Sequence, residues 1–115
     1  MNLGKLGEEI AVSYLKKRGY KIIETNFSCK FGEIDIIAEK DDTICFIEVK
    51  TRTNESFGSP IEAITPFKMK HIIKSVQYYI LKRHLEDKEV RLDVLEVEMI
   101  HGRANVNQIE NAIWL

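Results

Sequence analysis

Residues 32–52 read GEIDIIAEKDDTICFIEVKTR, and this stretch decides the fold. Apolar and β-branched residues fill two runs, 33–39 and 43–51, on either side of the turn formers Lys40, Asp41 and Asp42. Runs of this kind are typical of strands, and so short a connection joins them as an antiparallel hairpin. The stretch therefore predicts two neighbouring strands of one sheet.

Two helices are predicted on either side of the hairpin in the chain. Apolar residues recur at helical spacing over Leu3–Arg18, and Gly19 provides the stop at the C-terminal end. The second helix begins at Thr65-Pro66, where threonine is the N-cap and proline takes the first helical position.

Three further strands are predicted, at 20–27, 90–98 and 106–114. In the second of these the apolar phase slips between Val94 and Leu95, which indicates either a β-bulge or a central strand buried on both faces. The turn formers of 54–60 predict a loop. The order αβββαβ(β) gives an α/β protein, with a mixed sheet and a helix on either side of a three-stranded meander. Residues 1–115 contain no internal repeat or linker and are predicted as a single domain.

Composition and charge exclude several classes of protein. Hydrophobic residues make up 44% and charged residues 30% of the 115-residue chain, which is typical of a globular domain and excludes intrinsic disorder. Seventeen basic residues against 18 acidic ones give a net charge of −1. That balance disfavours a nonspecific nucleic-acid coat and leaves room for a local basic strip.

The cysteines and the apolar runs point to a cytoplasmic protein without a membrane partner. Two cysteines are too few for a disulfide framework, and Cys45 lies in an apolar run where a reduced core thiol is expected. We find neither a secretory signal nor a run long enough to span a bilayer in this sequence.

Charged residues within the hairpin carry the chemistry. Period two sorts them onto one face of each strand, Glu33 and Asp35 on the first and Glu48, Lys50 and Arg52 on the second. The apolar residues between them are left for the core, and these are Ile34, Ile36, Ile47 and Val49. The register of the hairpin decides whether the two charged faces lie side by side.

Paired carboxylates in strand interiors need a compensating group. At a separation of about 4 Å and an effective dielectric near 20, two carboxylates repel by roughly 4 kcal/mol. A divalent cation, the Lys50 ammonium or a proton held by a raised pKa would offset that repulsion. Mg²⁺ suits carboxylate oxygens, lowers the pKa of a bound water and polarises a phosphate, while Lys50 would position the water or stabilise developing charge. Asp35, Glu48 and Lys50 thus predict a phosphodiester-hydrolysing site; the alternative is a solvated sheet face with Glu48 and Lys50 as a surface pair.

These residues carry a family resemblance. Asp35, then twelve residues, then Glu48-Val49-Lys50 resembles the PD-(D/E)xK nuclease signature, and the element order resembles the αβββαβ core of restriction-endonuclease-like folds. Together with Gly7-Glu8-Glu9 and Gly32-Glu33-Ile34-Asp35, the chain resembles the YraN family, whose bacterial members are similar to archaeal Holliday-junction resolvases. The resemblance implies a metal-dependent endonuclease with Asp35 and Glu48 as metal ligands and Lys50 as catalytic lysine. Ile34 stands where the signature has proline, a difference that leaves the chemistry untouched.

Glu8 is the match for a further glutamate that resolvase-like proteins place on the first helix. The helical wheel sets Glu8 at the border of the buried face and Glu9 on the polar side. Glu8 is therefore the candidate for an auxiliary metal ligand or a contact to a metal-bound water. The alternative is a border glutamate paired with Lys5 or Lys16.

Basic residues outside the hairpin are expected to serve mostly as a solvated face of the second helix. Arg52 and Lys68 are predicted as phosphate contacts, Arg52 because it extends the charged strand face and Lys68 because it lies in the first turn after a long loop. That loop contains Phe57 and Gly58 and would either close over DNA or mediate dimerisation. The motif Gly4-Lys5-Leu6-Gly7 is interpreted as close packing of the helix onto the sheet.

The sequence thus predicts an Mg²⁺-dependent DNA endonuclease, with Mn²⁺ as an alternative ion, that acts on branched or otherwise structured DNA. A nucleic-acid-binding module with a vestigial nuclease site and a protein-interaction domain are the alternatives. RNA as substrate, the number of metal ions and the role of Glu33 stay open. A homodimer would place two sites on opposite strands, as junction resolution requires.

Overall fold

The computed structural model describes residues 2–53 and 64–112. Its elements are α1 (Leu3–Lys17), β1 (Lys21–Cys29), β2 (Gly32–Lys40), β3 (Thr43–Thr53), α2 (Pro66–Lys82), β4 (Glu89–Ile100) and β5 (Arg103–Ile109). Within these residues the five strands form one sheet in the order β1-β2-β3-β4-β5. β3 and β4 are parallel and the other neighbours antiparallel. The predicted α/β class, a mixed sheet flanked by helices as in a restriction-endonuclease-like core, is confirmed.

Both helices begin at residues that cap them. The Asn2 side chain accepts a hydrogen bond from the backbone N–H of Lys5 at 3.1 Å, and the Thr65 hydroxyl accepts one from that of Lys68 at 3.1 Å. These bonds satisfy N–H groups that have no partner within the first turn. Gly19 follows α1 with a φ of 89°, in the left-handed region that glycine adopts at low cost. In the described part of the chain, no helix is long and apolar enough to cross a bilayer.

Each helix covers one face of the sheet and closes a separate core. The α2-side core contains the buried residues Phe27, Ile34, Ile37, Ile44, Phe46, Ile64, Ile72, Val76, Tyr79, Leu92 and Val94. The α1-side core contains Ala11, Leu15, Tyr20, Ile36, Ala38, Cys45, Ile47, Leu95 and Val97. Cys45 is accordingly a buried free thiol, as predicted.

β4 is the strand buried on both faces. Val94 belongs to the α2-side core and its neighbour Leu95 to the α1-side core. The ladder between β3 and β4 runs without a shift from Thr43 opposite Glu89 to Thr53 opposite Met99. The phase slip in the sequence therefore reflects a central strand, and the alternative of a bulge is wrong.

α1 lies very close to the end of β3. Gly7 is buried, and a Cβ atom built on it would lie only 2.9 Å from both Cβ and Cγ2 of Thr51. Any side chain at Gly7 would push the helix away from the strand. The predicted close packing of helix onto sheet is confirmed at this glycine.

A buried ionic network joins β5 to β4. Asp93 is fully buried, and the Arg91 Nε donates to both of its oxygens, at 2.9 and 3.1 Å. Gln108 on β5 and the backbone N–H of Asn111 complete its hydrogen bonds, each at 2.9 Å. Arg91 and Gln108 also donate to the Tyr20 hydroxyl. These donors offset the cost of burying the Asp93 carboxylate, because its charge is paired and both of its oxygens accept hydrogen bonds.

One predicted element needs correction, and another lies outside the described residues. The final strand was expected at 106–114 but spans Arg103–Ile109, because the turn at His101-Gly102 brings polar residues into the ladder with β4. It ends before Asn111, whose φ is 51° and whose N–H bonds Asp93. The loop of 54–60, with Phe57 and Gly58, lies outside the described residues.

Candidate active site

β2 and β3 separate at the point where the predicted site residues lie. Their ladder begins at Lys40 opposite Thr43 and ends at Ile36 opposite Ile47. Beyond that pair, within the described residues, β2 remains bonded only to β1, while β3 remains bonded to β4. We call the gap between residues 33–35 of β2 and 48–50 of β3 the fork. Its position explains why charged side chains are accommodated within the sheet.

Asp35 bridges the fork with its side chain. Its Oδ2 accepts a hydrogen bond from the backbone N–H of Val49 at 2.8 Å. A donor that would otherwise need a carbonyl of the neighbouring strand is thereby satisfied by a carboxylate. The bond fixes Asp35 next to Glu48, the residue before Val49.

The alternation along β2 breaks at Asp35, and the prediction that Ile34 and Ile36 share a face is wrong. Ile34 lies in the α2-side core and Ile36 in the α1-side core. On β1 the register places Asn26 opposite Asp35, and Asn26 has a left-handed backbone with φ 55°. Both strands change face at this pair, so the Asp35 side chain points into the fork. On β3 the alternation holds, and Ile47 and Val49 pack on the α1-side core as predicted.

Glu48 is a buried carboxylate with an unsatisfied oxygen. The residue is 4% exposed, and its Oε1 has no hydrogen-bond partner among the described residues. Burial, together with the nearby charge of Asp35, raises the pKa of Glu48 to about 8. Burial also raises the pKa of Asp35, against the lowering effect of the bond from Val49. Two adjacent carboxylates in these conditions favour any cation that can replace the proton.

Two lysines face this carboxylate pair. Lys50 on β3 and Lys68 in the first turn of α2 both act electrostatically on Asp35 and on Glu48. Burial lowers the pKa of Lys50, and the adjacent Lys68 lowers it further. The structure therefore brings together Asp35, Glu48 and Lys50 from the predicted site with Lys68, which was predicted as a phosphate contact.

Arg52 lies further along β3 and turns to a neighbour on the sheet. Its Nε is 3.9 Å from Oε1 of Glu96 on β4, and both side chains are 12% exposed. It does not line the cavities at the fork. Its contact to phosphate stays a prediction.

Glu8 faces the fork from α1. The side-chain amide of Asn26 donates to its Oε1 at 2.7 Å, so Asn26 is its partner, in place of Lys5 or Lys16. Burial raises the pKa of Glu8, as do the charges of Asp35 and Glu33, while the bond from Asn26 lowers it. Glu8 is half-buried and Glu9 exposed, as the helical wheel predicts.

The donor set fits a hard divalent cation that keeps several ligands of its own. Among residues 2–53 and 64–112, no three side chains of His, Cys, Asp or Glu form a ready-made metal cage. Asp35 and Glu48 supply carboxylate oxygens, and one of these is buried without a partner in the ranges that the structure describes. Mg²⁺ is usually bound by one or two carboxylates, with water and substrate phosphate as its other ligands, so two carboxylates suffice for it.

Two cavities open on either side of the fork and share its residues. The cavity on the α2 side has a volume of about 640 Å³, and the one on the α1 side about 430 Å³. Both are lined by Glu33, Asp35, Val49 and Lys50, and Glu8 lines only the second. The first also contains the aromatic side chains Phe31, Phe67 and His71. Sequence reasoning missed these rings, although an exposed phenylalanine directly after the helix-opening Pro66 was a visible signal.

Comparison with known proteins places these residues within one family. A family model described as the uncharacterised protein family UPF0102 matches residues 7–97, a range that includes the fork and α2. A UPF0102 protein of Clostridioides difficile is 47% identical over 109 residues, which cover 95% of this chain and 94% of that protein. A UPF0102 protein of Syntrophomonas wolfei is 44% identical over 110 residues, or 96% of each chain.

Proposed function

This chain belongs to the uncharacterised protein family UPF0102, the YraN family that its motifs resemble, and we propose that it is a metal-dependent endonuclease hydrolysing phosphodiester bonds in DNA. One observation carries the proposal. Asp35 and Glu48 lie together in the fork of the sheet, largely buried, with two lysines beside them and with a Glu48 oxygen that has no hydrogen-bond partner in the described part of the chain. A purely structural pair would be expected to bind its oxygens within the protein.

Each residue at the fork has a separate role in the proposed hydrolysis. Asp35 and Glu48 would hold Mg²⁺ or Mn²⁺, which supplies a water of lowered pKa and polarises the phosphate. Lys50 donates a hydrogen bond to the attacking water or to the negative charge that develops on the phosphate. Lys68 is exposed at the start of α2 and binds a phosphate oxygen of the substrate. Glu8, facing the fork from α1, orients water near the ion.

The electrostatics of the fork support a cation as the missing component. Without one, the raised pKa of Glu48 keeps a proton on the pair near neutral pH. A divalent ion favours the ionised form of both carboxylates and removes their mutual repulsion. The near-neutral overall charge of −1 agrees with a site that recognises phosphate locally.

Branched DNA is the substrate class that the family resemblance implies. Members of this family are similar to junction resolvases, and resolving a junction requires two sites that cut opposite strands. This chain would therefore act as a homodimer with two-fold symmetry. Both statements are part of this proposal and are tested together by the choice of substrate.

Cleavage of labelled single-stranded, duplex, flap and four-way-junction DNA, with Mg²⁺, with Mn²⁺ and with chelator, tests the proposal directly. Asp35→Asn is the sharpest variant, because asparagine keeps an oxygen for the Val49 N–H and removes the charge. We expect this variant and Lys50→Ala to lose about 100-fold or more in cleavage rate, while both stay folded. Glu9→Gln, on the exposed side of α1, is the matched control and should cleave normally.

Two results would contradict the proposal. Cleavage by wild type that persists in chelator would exclude the metal, and cleavage by both folded variants would exclude the site. Salt-sensitive DNA binding without cleavage by the wild type would favour the alternative, a binding module with a vestigial site.

A further inference from the structure

The α2 side of the fork carries aromatic rings that hydrolysis itself does not use. Phe67, the second residue of α2, is 74% exposed. Its ring centroid lies 4.4 Å from that of His71, one helical turn later, with an angle of 55° between the planes. Both rings line the same cavity as Asp35, Glu48 and Lys50. An exposed phenylalanine contributes nothing to the core, and this one stands at the mouth of the candidate active site.

His71 is held in place and keeps the pair of rings oriented. Its Nδ1 lies 2.7 Å from the backbone carbonyl oxygen of Phe31, and this contact fixes the orientation of the imidazole. Phe67 therefore packs, in a tilted contact, against a ring that is held by a hydrogen bond. An anchored ring such as His71 loses little conformational entropy when a flat ligand binds to it.

Phe31 extends the aromatic surface away from the fork. It lines both the cavity at the fork and a neighbouring cavity of about 430 Å³ that contains Tyr78. Two lysines accompany it, with Lys30 Nζ at 5.2 Å and Lys74 Nζ at 6.0 Å from the centre of the Phe31 ring. Rings alternate here with ammonium groups, so the surface matches a flexible polyanion that carries flat bases.

We propose that this aromatic surface, formed by Phe67, His71 and Phe31, stacks unpaired bases next to the cleaved phosphate, and that Lys30 and Lys74 bind the phosphates of the same strand. Bases within a duplex have both faces covered by their neighbours, and only an unpaired nucleotide offers a free face to a protein ring. Stacking surfaces interleaved with cations are how proteins hold single strands without reading their sequence. The inference rests on the proposed function and specifies its substrate class, DNA with unpaired nucleotides beside the cleavage site.

Binding to strands with and without bases tests the proposal independently of cleavage. Fluorescence anisotropy in chelator would compare a labelled single strand of thymidine nucleotides with an otherwise identical strand of abasic nucleotides. Both strands carry the same phosphates, so their difference in affinity reports contacts to the bases, and the ring variants assign these contacts to stacking. We expect the wild type to bind the thymidine strand at least about tenfold more tightly, a factor within the range measured for base–aromatic stacking.

Variants separate the rings from the lysines. Phe67→Ala should lose the preference for the thymidine strand and bind the abasic strand unchanged, whereas Phe67→Trp should keep the preference. Lys74→Gln should lower the affinity for both strands by the same factor and reduce the salt dependence of binding. Ile23→Ala removes a 41%-exposed apolar side chain on β1 that lines neither of these cavities, and it is the matched control, which should behave as the wild type.

The outcomes distinguish this proposal from the endonuclease itself. Equal affinity of the wild type for the two strands, or a preference that survives Phe67→Ala, would overturn the stacking surface even if the protein cleaves DNA. A preference that depends on Phe67 in a protein without metal-dependent cleavage would uphold the stacking surface and contradict the nuclease.

Discussion

Replacing Glu48 with glutamine should stabilise the metal-free protein at neutral pH and leave its stability nearly unchanged near pH 4.5. The pKa of Glu48 is about 8 in the folded protein, against an ordinary value of 4.5. Between these values the folded chain keeps a proton that the unfolded chain has released. The free energy of unfolding of the wild type therefore falls as the pH rises through this window.

The size of the effect follows from the shift in pKa. One pKa unit corresponds to about 1.4 kcal/mol, so the need to keep Glu48 protonated in the folded state lowers the unfolding free energy of the wild type by about 3 kcal/mol at pH 7 and about 4 kcal/mol near pH 8, both relative to pH 4.5. Glutamine carries no ionisable proton and avoids this loss. Asp35, whose pKa is also raised, adds a loss of the same sign to both proteins and does not create the difference.

Urea unfolding in chelator at pH 5, 6, 7 and 8, followed by circular dichroism, measures this difference. The gap between the Glu48→Gln variant and wild type should widen steadily with pH, and Glu9→Gln should show no comparable gain. Added Mg²⁺ should raise the unfolding free energy of the wild type at pH 8 and leave that of Glu48→Gln unaffected, because a ligand stabilises only the state that binds it. A gap that does not change with pH, or a less stable glutamine variant at pH 7, would refute the reasoning.

Three further changes probe the framework around the fork. Gly7→Ala should destabilise the fold by about 1–3 kcal/mol, since the added methyl meets Thr51 and α1 must move; urea unfolding measures this, and an unchanged midpoint would contradict the close contact. Asp93→Ala should cost about 3–5 kcal/mol by removing the buried carboxylate that pairs with Arg91 Nε and accepts from Gln108 and Asn111, and hydrogen exchange should show that protection is lost first in β5. Thr65→Ala should cost about 1 kcal/mol through loss of the helix cap, and Thr65→Ser, which keeps the hydroxyl, should restore most of it.

Much of the fold was predictable because its signals are local. The Thr65-Pro66 cap, Gly19 after α1 and the turn formers at 40–42 act within a few residues of themselves, and the structure has each where the sequence predicts it. The boundaries moved by a few residues at most, except for the last strand. That strand depends on the long-range bonds between Asp93, Gln108 and Asn111, which leave no periodic pattern in the sequence.

The sequence predicted which residues form the candidate site, but it did not predict how Asp35 is oriented there. The spacing of Asp35, Glu48 and Lys50 suggested three groups on facing strands, and the structure brings them together. Period two alone did not reveal that Asp35 turns into the fork, because the change of face depends on Asn26 of a different strand.

The two-residue turn at Asp41-Asp42 limits how the length of this chain can vary. Both residues have left-handed backbones, with φ of 50° and 64°. Five residue pairs of the β2–β3 ladder separate this turn from the fork, so the length of the hairpin sets which residues reach the fork. One residue inserted into the β3 arm would exchange Glu48 for an apolar neighbour on the α2 face, and one inserted into the β2 arm would displace Asp35 from the Val49 N–H. Insertions between 53 and 64 follow the last ladder pair of β3 among the described residues and do not alter that count. Working relatives should therefore differ in length beyond residue 53, while the segment from Asp35 to Lys50 should keep a constant number of residues.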